Sequence, residues 1–119
     1  MAKPYSDALT ADGPLLFVSG QVPAGPGGEA PGGIGEQTRQ VFRNMEAVLA
    51  EHGVDLSHVV KMTYYLRHIS DLEEFREALL ACLPEGHLPA ATLVEVGGLV
   101  DPTYLVEIDA IASLPRDRG

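Results

Sequence analysis

The spacing of apolar and polar positions changes several times along the chain, and the changes mark its elements. Leu15-Leu-Phe-Val-Ser-Gly-Gln-Val22 is a mostly apolar run bounded by Pro14 and Pro23, which predicts a strand. Residues 8–11 precede it across Asp12-Gly13, a dipeptide suited to a tight reversal, so a hairpin is expected there. Residues 23–35 are rich in Gly and Pro and predict a loop. Beyond it, Ile34, Thr38, Val41, Met45, Val48, Leu49 and His52 recur at helical spacing, and Gly53 stands where a helix C-terminus favours a left-handed residue. Val59–Leu66 is β-branched and aromatic, a strand on which Tyr64 and Tyr65 point to opposite faces. Asp71 is a candidate N-cap, with Glu74 completing a capping box, for a helix with Leu72, Phe75, Leu79, Leu80 and Leu83 on its apolar face and Pro84 at its end. Residues 91–96 and 104–112 predict two further strands.

The order β-β-α-β-α-β-β predicts an α+β fold, one mixed sheet with two helices on one face. Val94 and Val96, or Val106 and Ile108, suggest that both sheet faces carry apolar side chains, so the uncovered face is expected to pack against other sheets. No repeat or linker interrupts the pattern, and 119 residues fit a single domain.

Composition narrows the functional classes. Seventeen acidic against eight basic residues give a formal charge of −9, which repels a phosphate backbone; no nucleic-acid partner is expected. The only local basic cluster is Arg116 and Arg118. No apolar run approaches the ~20 residues of a membrane span, and the first residues lack the apolar stretch of a signal peptide. The single cysteine, Cys82, falls on an apolar helix face and can form no intrachain disulfide, so a reducing cytoplasm is the expected location. His52, His58, His68 and His87 lack metal-ligand spacing, and the loop Gly25–Gly33 lacks the Gly-Lys-Ser/Thr ending of a phosphate loop. No nucleophile elbow occurs.

Several segments follow one another in a telling order: Pro4-Tyr-Ser-Asp-Ala8, Phe17-Val-Ser-Gly-Gln-Val-Pro23, Gln37-Thr-Arg-Gln-Val41 with Asn44, Val60-Lys-Met-Thr63, Pro89-Ala-Ala-Thr-Leu-Val-Glu-Val96 and Val106-Glu-Ile-Asp-Ala-Ile-Ala112. In content and spacing they resemble the RidA/YjgF family of reactive enamine/imine deaminases over nearly the whole chain. The resemblance implies a chorismate-mutase-like (YjgF-like) domain whose sheets pack into a homotrimer. It also implies small-molecule sites in the clefts between subunits and hydrolysis of C=N bonds without a cofactor. Such hydrolysis needs a water held beside the carbon, a carboxylate to move its proton, and an anchor for the substrate. The resemblance gives the carboxylate role to Glu107, and pocket positions to Tyr5, Ser19 and Gly20 and to the backbone around Thr92 and Leu93. On the residues alone, Glu107 reads equally as a solvated strand residue, Tyr5 as an anchor for the N-terminal segment, and Gly20 as a bulge residue.

Two positions depart from the family pattern. The signature is close to Pro-Ala-Arg-Ser-x-Val-Glu-Val, and its arginine, which grips the carboxylate of a 2-imino acid, is replaced here by Ala91. Each lost charge-assisted hydrogen bond removes about 1.5–3 kcal/mol, so ordinary 2-imino acids are expected to be poor substrates. In the second helix Arg76 stands where the family often carries a pocket asparagine. Arg76 reads either as a replacement anchor or as an ion pair with Glu73 on a solvated helix face. The functional expectation is a deaminase of an unusual enamine or imine. The alternative is a non-catalytic trimer that binds a small molecule or a protein, with RNA cleavage a distant third.

Overall fold

The computed structural model describes residues 3–116. Their order is β1 (Leu15–Gln21), α1 (Ile34–Glu51), β2 (Val59–Leu66), α2 (Leu72–Cys82), β3 (Ala90–Glu95) and β4 (Val106–Ser113), with 3₁₀ turns at Leu56–His58 and Ile69–Asp71. The sheet runs β1-β4-β2-β3; β4 is antiparallel to both neighbours, while β2 and β3 are parallel. Parallel neighbours need a long crossover, and α2 supplies it.

The apolar periodicity explains the layering. Ile34, Val41, Phe42, Met45 and Leu49 of α1 and Phe75 and Leu79 of α2 are buried against Met62, Tyr64 and Leu66 of β2 and Val106, Ile108, Ala110 and Ala112 of β4. The Tyr64 and Phe75 rings meet edge-on, with centroids 5.3 Å apart. Gly53 has φ +72°, and Gly53 N–H and Val54 N–H donate to the carbonyls of Ala50 and Leu49, closing α1 as expected. Gln37 is 2% exposed and ties two loops to α1: its Nε2 donates to the carbonyls of Pro31 and Thr103, and its Oε1 accepts from Leu105 N–H. Asn44 Nδ2 donates to the carbonyls of Val22 and Ala24, which fixes the start of the Gly/Pro-rich loop.

Four expectations need correction. Residues 8–11 form no strand; they are exposed, and β1 pairs only with β4. The segment before them runs instead to the opposite edge of the sheet, where Ser6 bridges Ala90 in parallel, Ser6 N–H donates to Pro89 O at 2.9 Å and Ser6 Oγ to Leu88 O at 2.5 Å. Asp71 makes no side-chain cap, because the 3₁₀ turn at Ile69–Asp71 already leads the chain into α2. Val106 and Ile108 share the helix-covered face, so they do not make both faces apolar. The open face is apolar only towards its margins, at Leu15, Phe17, Ile111 and Val94, while Lys61, Thr63, Tyr65, Glu107 and Asp109 occupy its middle. Finally, His87, a loop histidine expected at the surface, is partly buried, its Nε2 within 2.7 Å of Val59 O. Arg116 is engaged by Asp12, and Arg118 lies outside the described residues.

Candidate functional site

The positions singled out from the sequence fall into two groups on opposite faces of the sheet. The first is on the open face. Val106 and Ile108 point into the core, so the alternation of a strand turns Glu107 outward, where it faces Tyr65 of β2 in register. Between Val18 and Gln21 the pairing of β1 with β4 slips, and the slip brings Gly20 against Glu107. A Cβ at position 20 would overlap the Glu107 carboxylate and lie 2.8 Å from its Cδ, so only glycine leaves that carboxylate where it is. Ser19 is exposed beside it. Thr92 also faces outward and accepts a hydrogen bond at 3.1 Å from Lys61 Nζ, which donates as well to Met62 O.

The open face carries two groups that sequence reading had not assigned to the site. Tyr65 donates to Asp109 Oδ2 at 2.8 Å, and that hydrogen bond holds the phenol proton on, raising its pKa above the ordinary tyrosine value. Lys61 supplies a cation on the same face. Strand alternation from Glu107 points to Asp109, two residues on along β4, whereas Tyr65 and Lys61 are placed beside it only by the pairing of β2 with β4.

The second group lies on the other side, between α2 and β3. Ala91 and Leu93 pair in register with Met62 and Tyr64, whose side chains are buried under the helices. With Tyr5, Phe75 and Arg76 they border a cavity of about 250 Å³. Tyr5 reaches it because the Ser6–Ala90 bridge lays the N-terminal segment along β3. Burial pushes the Tyr64 phenol far above its usual pKa, so this wall stays uncharged. Arg76 is half-buried at the rim and forms no ion pair with Glu73; no hydrogen bond joins it to another described residue. The solvated pairing is therefore not formed, and Arg76 lines the space beside Ala91. Leu93 also contributes its side chain here rather than its backbone alone.

Among the described residues no group of three or more His, Cys, Asp or Glu is placed to hold a metal ion. No helix of the described residues is long and apolar enough to cross a membrane. Cys82 is half-buried near Glu46, and desolvation raises its thiol pKa, which makes it a poor nucleophile.

The sheet order, the two crossover helices, and the Gly20–Glu107 contact define a small α+β domain of the YjgF type. The chain belongs to the family described as Endoribonuclease L-PSP, the RidA/YjgF family, whose sequence profile matches residues 1–114. It is 40% identical over 111 residues to a RutC family protein of Pyrococcus horikoshii, covering 92% of this chain and 86% of that protein. It is 34% identical over 110 residues to the 2-iminobutanoate/2-iminopropanoate deaminase of Rattus norvegicus, covering 91% of this chain and 78% of that one. The Rid family protein YyfB from Yersinia pestis superposes with a TM-score of 0.84 at 29% identity, over 93% of this chain and 87% of that one. A YjgF family member from Neisseria meningitidis gives 0.78 at 34% identity, over 98% and 92%.

Proposed function

We propose that the chain is a hydrolytic deaminase of a small enamine or imine, with Glu107 as the catalytic carboxylate. The observation that carries this reading is the Gly20–Glu107 contact: a glycine at a register slip keeps a carboxylate clear on the open face. Membership of a family that includes a named 2-imino acid deaminase supports the chemistry. Water adds to the carbon of the protonated C=N bond while Glu107 accepts one of its protons. The carbinolamine that results is protonated on nitrogen by the same carboxyl group. The C–N bond then breaks as Glu107, again a carboxylate, takes the hydroxyl proton; ammonia leaves, carrying that proton away as ammonium, and the carbonyl product remains, with one water consumed for each ammonia released.

Glu107 and the Arg76–Ala91 cavity lie on opposite faces of one sheet, so a single chain does not present them to one substrate. A homotrimer packed through the open faces would set the Glu107 half of one copy beside the cavity of the next. The exposed apolar side chains of Phe17, Leu15 and Val94 on that face support such an assembly. A charge of −9 speaks against RNA as substrate.

The test is ammonia release from imines made in situ by an amino-acid oxidase, alongside stable enamines. Glu107→Gln should lower release by roughly 100-fold or more. With Ala91 in place of a cation, 2-imino acids should turn over about 10²–10⁴ times more slowly than in an arginine-bearing relative. Absence of release from every imine and enamine, with a small molecule bound in the cavity, would instead favour the non-catalytic binding reading, which Ala91 itself motivates.

A further inference from the structure

We propose that Arg76 is the anion anchor of the cavity between α2 and β3, and that it selects small monocarboxylates in which an apolar spacer separates the acid from the reacting carbon. The inference rests on reading that cavity as one half of the substrate site. Three observations carry it.

The first is an unpaired cation. Arg76 is half-buried at the cavity rim with neither an ion pair nor a hydrogen bond to another described residue. No carboxylate of the described residues lies within ion-pair distance of it. Glu73, one turn earlier on α2, shares with Arg76 a second hollow lined also by Ile69, Ser70 and Leu72, but does not pair with it. Glu95, at the end of β3, accepts the Ile69 N–H at 2.7 Å. A guanidinium in this position retains its forked donors for a planar carboxylate.

The second is the character of the walls. Tyr64, Phe75, Leu79 and Leu93 are apolar or buried aromatic surfaces, and among the described residues Arg76 is the only charged one lining the cavity. A second charge on the ligand would lose its water against Phe75 and Leu93 without a partner. A single acid with an apolar or aromatic body fits, and about 250 Å³ suits a body the size of one aromatic ring.

The third is the position of the anchor. Arg76 belongs to the helix layer, whereas Ala91 sits on the sheet. A carboxylate held by Arg76 is therefore raised off the strand, with the ligand's body lying across Ala91 and Leu93. In a 2-imino acid the carboxylate and the C=N carbon are directly bonded, so an acid held by Arg76 keeps that carbon close to the guanidinium. A spaced acid carries it further across Ala91.

Benzoate and its neutral isostere benzamide test this by calorimetric titration of the full-length protein. Benzoate should bind, benzamide should bind roughly 10- to 100-fold more weakly, and Arg76→Gln should weaken benzoate by a similar factor while leaving benzamide unchanged. Arg76 makes no hydrogen bond or ion pair with another described residue, so the variant should keep the wild-type circular dichroism and melting temperature. Failure of benzoate to bind the wild type, equal binding of the two compounds, or unchanged benzoate binding by Arg76→Gln would each overturn the proposal. The outcome is separable from the deaminase reading. Arg76-dependent benzoate binding without ammonia release from any imine keeps the anchor and removes the catalysis. Release that is indifferent to Arg76→Gln does the reverse.

Discussion

At position 20 the presence or absence of one methyl group decides where a carboxylate can stand. A Cβ there meets the far end of a flexible side chain, not backbone, so Gly20→Ala should displace Glu107 without unfolding the sheet. The expected outcome is a loss of deaminase turnover of roughly tenfold or more with the melting temperature nearly unchanged, read by ammonia release and thermal denaturation. A turnover equal to wild type would show that the Glu107 position does not matter to the chemistry. Ala91 is the complementary case: the signature segment singled out the position in the sequence, but not what shares its space. That Arg76 lines the same cavity depends on pairing Ala91 with Met62 and on α2 crossing above, which are long-range facts that no local spacing encodes.

The elements were largely legible because their periodicities are strong: α1, β2, α2, β3 and β4 lie within a few residues of the apolar patterns that mark them. Two local signals misled. Asp12-Gly13 has the chemistry of a hairpin turn, yet Ala8-Leu-Thr-Ala11 lacks the alternation that would give it a partner, and Asp12 is instead tied to Ser113 and Arg116 across the end of β4. Asp71 and Glu74 have capping-box spacing, yet the preceding 3₁₀ turn makes the box redundant. Gln37 shows the converse, a polar residue inside an apolar stripe whose importance was invisible until its partners were known. Gln37→Leu keeps the helix but strands the Leu105 N–H and the carbonyls of Pro31 and Thr103, so it should cost about 2–4 kcal/mol in urea unfolding. A cost within ~0.5 kcal/mol would mean that water replaces all three bonds.

At the scale of the whole molecule, the proposed trimer would tie assembly to catalysis through the uncovered sheet face. Phe17 is 70% exposed, and its register partner on β4 is Ile111, with Leu15 at 46% exposure nearby on the same strand. Phe17→Glu places a charge in the middle of that apolar margin and should shift the protein from trimer to monomer in light scattering coupled to size exclusion, with ammonia release falling in parallel. A wild-type protein that already runs as a monomer, or a variant that stays trimeric, would remove the shared-site reading. The sequence led to the expectation that other sheets cover this face. It did not reveal that the face is polar at its centre, because Lys61, Thr63, Tyr65, Glu107 and Asp109 come from two strands whose alignment only the fold supplies.

The N-terminal tether adds a practical corollary. Tyr5 arrives at its cavity through one bridge, Ser6 to Ala90. Ser6→Ala removes the hydroxyl bond to Leu88 O from that clasp, so it should loosen the seat of the aromatic ring as well.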